Sequence, residues 1–398
     1  MLYGIRFPLK NGTVAERIAI MKALRILLTA ALVFSSIFSI PVGASAPNIE
    51  SDARSLILIE AETGTVLYEK DCDLPLPPAS VTKVMSMLLV MEAIDSAQIS
   101  LTDTVTVSAN AANMGGSQVY LKEGEQMSVH ELLKCVVVSS ANDACVALAE
   151  YICGSEEAFV SRMNERARQL GMTHTTFENT NGLDDTVQNH VTSARDIAKM
   201  SAELITKHPA ILEYSSIWMD SIRGGEFGLT NTNRLIRFYS GANGLKTGST
   251  AKAKFCISAS AKRDGMQLIC VVMGAASRDS RNEVAKKLLD YGFTSYAYEC
   301  YPGSDMTEIA VTGAMQTTLP LTYGSFKTVI EKQYAGKTEA KAVLPESVSA
   351  PIVIGQEIGK MIYTLNGQTV AEVPILAASD VTRMTFWQVL SNLVRSAY

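Results

Sequence analysis

The sequence predicts an α+β fold for its larger part, with a small all-β domain behind it. Three observations carry that expectation. β-rich runs stand near both ends of residues 50–296, mostly helical patterns fill about 129–206, and short β-like runs take over after about 298. The first and last strands of the larger part should therefore share one mainly antiparallel sheet flanked by helices. With 398 residues, 47% of them hydrophobic and 19% charged, the chain has enough apolar material for two domains. Its formal net charge of −5 gives no reason to expect nucleic acid as a partner.

Taken in order, "MKALRILLTAALVFSSIFSIPVGASA" (21–46) has a basic start at Lys22 and Arg25, an apolar run from Ile26 to Ile40, and the small-residue site Val42-Gly43-Ala44. This pattern reads as a secretory signal peptide over 21–44, with a retained N-terminal anchor as the alternative. Met21 opens it so cleanly that residues 1–20 read as a stretch upstream of the true start. "SLILIEAETGTVLYEK" (55–70) is a hairpin signal, two β-rich runs around a Glu-Thr-Gly turn. In "PPASVTKVMSMLLV" (77–90), two prolines followed by apolar Val84, Leu88 and Met91 suit a helix start. Helical patterns follow to about 206, interrupted by the turn-rich "MTHTTFENTNGLDD" (171–184). "KFCISASAKRDGMQLICVVMGA" (254–275) predicts two alternating strands around Asp264-Gly265, and "RNEVAKKLLDYGF" a helix.

Seven scattered cysteines do not make a disulfide scaffold, and no zinc spacing occurs. Cys135, Cys145, Cys256 and Cys270 lie in apolar runs and are expected as small buried hydrophobes. No metal or other cofactor is expected. The four histidines (130, 174, 190, 208) adjoin no Gly-x-Ser-x-Gly elbow, so a Ser-His-Asp triad is not expected, and His190 is expected to anchor a loop.

The chemistry rests on short motifs that are individually weak. Ser80 and Lys83 form a Ser-x-x-Lys pair, but Ser249 and Lys252 form another, and Ser-x-Asn occurs at 108, 140 and 280. Context separates the copies. At a helix start, residues three apart face the same way, so Ser80 and Lys83 can touch, and a buried lysine there can act as a base. Ser249 and Lys252 precede a strand, where side chains three apart point to opposite faces. Ser140 and Asn142 end an apolar run at a point where a turn can present both. Lys246-Thr247-Gly248 stands just before the late strands. An ordered trio of Ser-x-x-Lys, Ser-Asp-Asn and Lys-Thr-Gly is the set used by serine acyl-transfer enzymes that react with penicillin, and all three stand here in that order, with alanine in the middle of the second.

With these phrases, and with "GGSQVYLKEGE", "FENTNGL", "TSARD", "NTNRLI" and "KKLLDYGF", the chain resembles the low-molecular-mass penicillin-binding proteins, which are serine-type D-alanyl-D-alanine carboxypeptidases. The resemblance implies a β-lactamase/transpeptidase-like domain over 50–296, a β-rich domain over 297–378, and an amphipathic membrane-surface helix over 380–398. It implies that Ser80 attacks the penultimate D-alanine carbonyl of a peptidoglycan stem peptide and that Lys83 takes its proton. Ser140 would relay a proton to the leaving D-alanine. Asn142 would hold the substrate amide, Lys246 would supply positive potential, and Thr247 would contact the terminal carboxylate. The N–H groups of Ser80 and Ser249 would form the oxyanion hole, with Gly248 letting substrate backbone lie against its strand. Arg281 matches an arginine that some relatives place near the carboxylate; a surface arginine at a helix N-terminus is the alternative. Some relatives carry arginine where "NTN" has Thr232, so that contact is expected to be missing here, although Arg234 is close, and some carry aspartate where Asn243 precedes "GLKTG". β-Lactam antibiotics are the implied inhibitors, and the place of action is the outer face of the bacterial cytoplasmic membrane or the cell wall. Two other functions stay open at this level: β-lactam hydrolysis by the same fold, with Glu178 as the water-activating carboxylate, and a wall-binding protein with a dead site.

Overall fold

The computed structural model describes residues 49–185 and 187–396, so the expected upstream stretch (1–20) and signal peptide (21–44) lie outside the described residues. The chain divides into two compact units, the first ending at Tyr298 and the second beginning at Glu299.

Five strands build the sheet of the first unit: β1 (Ser55–Glu60), β2 (Val66–Lys70), β3 (Ala242–Thr250), β4 (Lys254–Arg263) and β5 (Met266–Ala275). Their order is β2-β1-β5-β4-β3, antiparallel throughout. The predicted hairpins are present, and first and last strands do share one sheet. Two details differ from expectation. "GLKTGST" lies inside β3 rather than ahead of the strands, because β3 is an edge strand whose glycines and polar residues carry little β signal. The alternation expected in β5 is absent, since all ten of its residues are buried. Helices α4 (Ala194–Lys207) and α5 (Arg278–Ser295) both pack on β5, so neither of its faces meets water.

The helical layer is centred on α1 (Lys83–Asp95), where every residue from Lys83 to Met91 is buried. A helix apolar all round belongs in the middle of a core. Burial of side chains such as Leu88, Leu89 and Met87, each at 0% exposure, contributes roughly 1.5–3 kcal/mol apiece. Helices α2 (Asn142–Cys153) and α4 pack against it, and α3 (Glu156–Gln169) lies against α2. Cys135, Cys145, Cys256 and Cys270 are buried free thiols within this unit.

The second unit is built on a six-stranded sheet of β6 (Ser304–Thr312), β7 (Thr318–Tyr323), β8 (Glu339–Val343), β9 (Ser347–Ser349), β10 (Glu357–Leu365) and β11 (Gln368–Ala377), in the order β8-β10-β11-β7-β6-β9. Its core gathers Leu319, Leu321, Tyr363, Ala371 and Ile375. The chain then forms α6 (Phe386–Ser396), on which Phe386, Trp387, Leu393 and Val394 are more than half exposed. Among the described residues no helix is long and apolar enough to cross a membrane.

Candidate active site

The serine at position 80 does not sit in the first turn of an α-helix, as the sequence suggested. It lies in a 3₁₀ turn, Ala79–Thr82, and the α-helix begins only at Lys83. Pro77 and Pro78 precede that turn, and Ala79 is held at φ +49°, a left-handed conformation that costs a non-glycine residue about 1–3 kcal/mol. In a 3₁₀ turn residues three apart eclipse, and Lys83 Nζ accordingly lies 3.0 Å from Ser80 Oγ.

Lys83 is wholly buried and has three polar neighbours: Ser80 Oγ, Asn142 Oδ1 at 2.5 Å and the Asn181 carbonyl at 3.0 Å. Burial lowers its pKa to about 8, opposed by the nearby Cys145 and Asp143. The three neighbours are not equivalent. The amide oxygen of Asn142 and the Asn181 carbonyl can only accept, so a neutral amine spends its two hydrogens on them. Its lone pair is then left for the Ser80 hydroxyl, and the surroundings choose both the base and its direction.

Asn142 reaches this point, and Ser140 is set two residues before it, through a local irregularity. The helix from Val129 ends in a π-type turn, Cys135–Ser139. Ser140 follows at φ +67°, Ala141 is extended, and α2 starts at Asn142. Such turns re-aim side chains and recur at functional sites. Both residues are buried, at 4% and 2% exposure. The Asn142 amide is engaged at both ends, Oδ1 with Lys83 and Nδ2 donating to Gly115 O at 2.7 Å. It thus holds the lysine, with one amide hydrogen left over for substrate.

The third cluster arrives on β3. Lys246 is buried, its amine donating to Thr247 O at 2.9 Å, and its pKa is pushed well down by burial, then by the neighbouring charges of Lys83 and Arg281. Thr247 donates its hydroxyl to Thr232 Oγ1 at 2.8 Å. Gly248 has a structural reason closer to hand than substrate backbone. A Cβ there would lie 2.8 Å from both Ser80 N and Pro78 O. Absence of a side chain is what lets β3 close against the serine turn. Ser249, exposed, follows at the end of the strand.

Arg281 is not a surface residue: only 2% of it is exposed. It lies on the inward face of α5 with Val284, Ala285 and Leu288. Its guanidinium donates to Asn282 Oδ1 and, at 3.3 Å, to the carbonyl of Cys256, the residue paired with Gly248. Burial lowers its pKa to about 10, which leaves it cationic at neutral pH. It hydrogen-bonds none of the other predicted site residues.

The competing motif copies fall elsewhere. Ser108 caps a short helix and, like Asn110, bonds Glu150. Ser280 bonds Asp52 at the start of α5. Lys252 is exposed in the turn after β3. Glu178, the carboxylate considered for water activation, accepts from the backbone N–H groups of Gln188 and Asn189 at 2.9 and 3.0 Å and serves to brace its own loop. His190 also braces that loop. Its Nδ1 accepts from the Glu178 N–H, which places the proton on Nε2, 2.7 Å from Thr82 Oγ1, while Thr82 donates to Ala79 O. Burial lowers the His190 pKa to about 4, so the ring is neutral. Among the described residues no group of three or more His, Cys, Asp and Glu side chains is arranged to hold a metal ion.

Two contributors escaped the motif reading, and a third, Thr232, was noted only for the arginine that some relatives carry there. Asn181 supplies a main-chain oxygen to Lys83. Gly182, at φ +88°, presses against the serine turn so closely that a Cβ would lie 1.8 Å from Ala79 O. Thr232 meets Thr247. Asn181-Gly182 is a turn dipeptide by itself, but nothing in its composition says what it turns against.

Residues 41–277 match the family model described as D-alanyl-D-alanine carboxypeptidase, and residues 302–383 match that of the C-terminal domain of penicillin-binding protein 5. The chain is 40% identical to the D-alanyl-D-alanine carboxypeptidase DacF of Bacillus subtilis over 360 residues, 88% of this chain and 91% of the relative. It is 35% identical to DacC of Escherichia coli over 90% of this chain and 92% of the relative. Among solved structures, penicillin-binding protein 5 from Haemophilus influenzae aligns with a TM-score of 0.76 at 31% identity, covering 86% of this chain and all of that one. The ampicillin-bound form of penicillin-binding protein D2 from Listeria monocytogenes aligns with a TM-score of 0.57 at 32% identity, over 62% of this chain and 99% of that one.

Proposed function

The chain belongs to the D-alanyl-D-alanine carboxypeptidase family, and we propose that it removes the terminal D-alanine from peptidoglycan stem peptides through an acyl-enzyme on Ser80. The observation that carries this reading is the 3.0 Å contact between Ser80 Oγ and a fully buried Lys83 whose other two neighbours are obligate acceptors. Neutral Lys83 takes the Ser80 proton as Oγ attacks the carbonyl of the penultimate D-alanine. The oxyanion is met by the N–H groups of Ser80 and Ser249, a contribution of about 3 kcal/mol per donor. Ser140, two residues before the asparagine that holds Lys83, relays that proton from Lys83 to the departing D-alanine nitrogen, so that Lys83 is neutral again. Asn142 offers its spare amide hydrogen to the substrate. Lys246, Thr247 and the buried charge of Arg281 favour the terminal carboxylate. Water then takes the acyl group from Ser80 and releases the shortened peptide.

A β-lactam carries a reactive carbonyl beside a carboxylate and enters the same site, so penicillins are expected to acylate Ser80. Because Glu178 is committed to its own loop, the acyl group is expected to persist. Penicillin turnover within seconds would instead favour β-lactam hydrolysis. The further assignments follow from the same reading. Residues 21–44 direct export, 50–296 form the catalytic domain, 297–378 a β-rich domain, and the tail from 380, through its helix Phe386–Ser396, lies on the outer face of the cytoplasmic membrane. The exposed Phe386, Trp387, Leu393 and Val394 support that last assignment, since a helix packed on its own protein would cover them. The decisive test is release of D-alanine from diacetyl-L-lysyl-D-alanyl-D-alanine. Wild type should release it and Ser80→Ala should not; no release by wild type, with no labelling by fluorescent penicillin, would leave a non-catalytic wall protein.

A further inference from the structure

Among the described residues of the second unit, and Val343 apart, the large apolar side chains left in water are those of two loops and of α6. On the loops they are Met315, Val353 and Ile354, exposed at 53%, 63% and 43%. The topology brings these loops to one end of the six-stranded sheet. Residues 313–317 join β6 to β7, and residues 350–356 join β9 to β10. β9 runs parallel to β6 with Ser349 opposite Thr312, so both loops leave from the same end.

The tail after β11 is stitched to each of them. Val381 and Ile352 exchange N–H···O bonds, both at 2.9 Å, and the Met384 N–H donates to Gly313 O at 2.8 Å. Two residues later α6 begins, its start fixed by Thr385 and Gln388, whose side chains each accept the other's backbone N–H. The exposed Phe386 and Trp387 therefore follow directly on the segment that holds both loops.

The polar groups of the second loop are placed as a lipid interface requires. Five consecutive N–H groups are bonded within the protein: Ile352 to Val381 O, Val353 to Gln356 Oε1, Ile354 to Asp380 Oδ1, Gly355 to Ala377 O and Gln356 to Val353 O. None of these donors needs water, while the side chains of Val353 and Ile354 stand out in it. Such a loop can leave water without stranding an unpaired donor, and its apolar side chains gain by doing so. Charge points the same way. Residues 381–398 contain Arg383 and Arg395 and no Asp or Glu, and Arg383 is exposed between the two points where the tail is stitched to the loops.

We propose that loops 313–317 and 350–356 are a second membrane contact, in which Met315, Val353 and Ile354 enter the headgroup region of an anionic bilayer beside α6. This rests on the membrane reading of the tail and goes beyond it. A helix alone would only tether the chain, whereas a helix and two loops at one sheet end fix how the β-rich domain stands on the lipid.

The test measures co-sedimentation of the exported, processed protein with vesicles of equal parts phosphatidylglycerol and phosphatidylethanolamine. It compares wild type, the triple loop variant Met315→Ser, Val353→Ser, Ile354→Ser, and the double helix variant Phe386→Ser, Trp387→Ser, with thermal melts to confirm folding and gel filtration without lipid. The loop variant should partition at least about tenfold more weakly than wild type, since each buried CH₂ counts for about fourfold. The helix variant should also weaken. A second measurement reads position: Val353→Trp in a Trp387→Phe background should be quenched by bromine-labelled lipid beyond the level of the Trp387→Phe parent. A folded loop variant that binds like wild type, or a tryptophan at 353 that lipid does not quench, sinks this inference alone if the helix variant is impaired. A wild type that binds no vesicles removes the membrane reading of the tail as well. A lipid-free dimer that the loop substitutions turn into a monomer would assign the face to a second copy of the chain and overturn the proposal.

Discussion

Ser80-Val81-Thr82-Lys83 and Ser249-Thr250-Ala251-Lys252 are the same four-residue pattern in one chain, and the fold treats them differently. The first crosses from a 3₁₀ turn into the most buried helix of its unit, so its serine stays half open while its lysine is removed from water. The second crosses from the end of an edge strand into a surface turn, and its lysine is solvated. A serine hydroxyl needs a neighbour willing to give up its own proton, and at Lys83 desolvation is the main cause of that willingness. The pattern supplies the two groups; the burial gradient between them decides whether they react.

The largest effect that tests this comparison is on the first copy. Ser80→Ala should reduce D-alanine release by at least about 10⁴-fold and abolish covalent penicillin labelling, with the fold intact by circular dichroism. Residual labelling would mean that another nucleophile, such as Ser249, takes the acyl group. Next comes the contact that brings the two regions together. Gly248→Ala places a methyl group 2.8 Å from Ser80 N, so β3 and the serine turn must part, and kcat/KM should fall by about 10²-fold. A near-normal variant would show that their approach is not required. A smaller effect follows from the depressed pKa of Lys83. The base must be neutral, so acylation should rise with pH, about tenfold per unit well below 8, and level off above it. A rate constant for penicillin acylation that is flat from pH 6 to 9 would exclude Lys83 as the proton acceptor. The smallest effect belongs to the second copy: Lys252→Ala should leave kcat/KM within about twofold.

Much of the fold was legible because its signals are local. The two hairpins at 55–70 and 254–275 declare themselves through β-rich runs around turns, and α5 through its apolar spacing. β3 was not legible as a strand, since an edge strand carrying Gly244, Lys246 and Gly248 gains its order from β4 rather than from its own composition. The site divides in the same way. Ser80, Lys83, Ser140, Asn142 and Lys246 were singled out through motifs, where three weak patterns in a fixed order reinforce one another, and the structure joins Ser80, Lys83 and Asn142 by hydrogen bonds. Asn181 contributes a backbone oxygen, which any residue has, and so left no trace in its side chain. The contact of Thr232 with Thr247 was hidden because it joins a loop to a strand fifteen residues away, and no spacing rule links the two. Arg281 shows the converse, a residue found by spacing whose burial the spacing did not reveal.

The strand order of the first unit has a consequence for how the protein is made. β1 is complete only when Ser55 lies opposite Met273, so its central partner is among the last parts of the domain to be synthesised. Until then the early hairpin has an open edge and α1 has no finished sheet to cover, and such long-range pairing is slow to form. A chain of this topology cannot close its sheet, or bring Gly248 against the turn that carries Ser80, until both ends of the domain have been made.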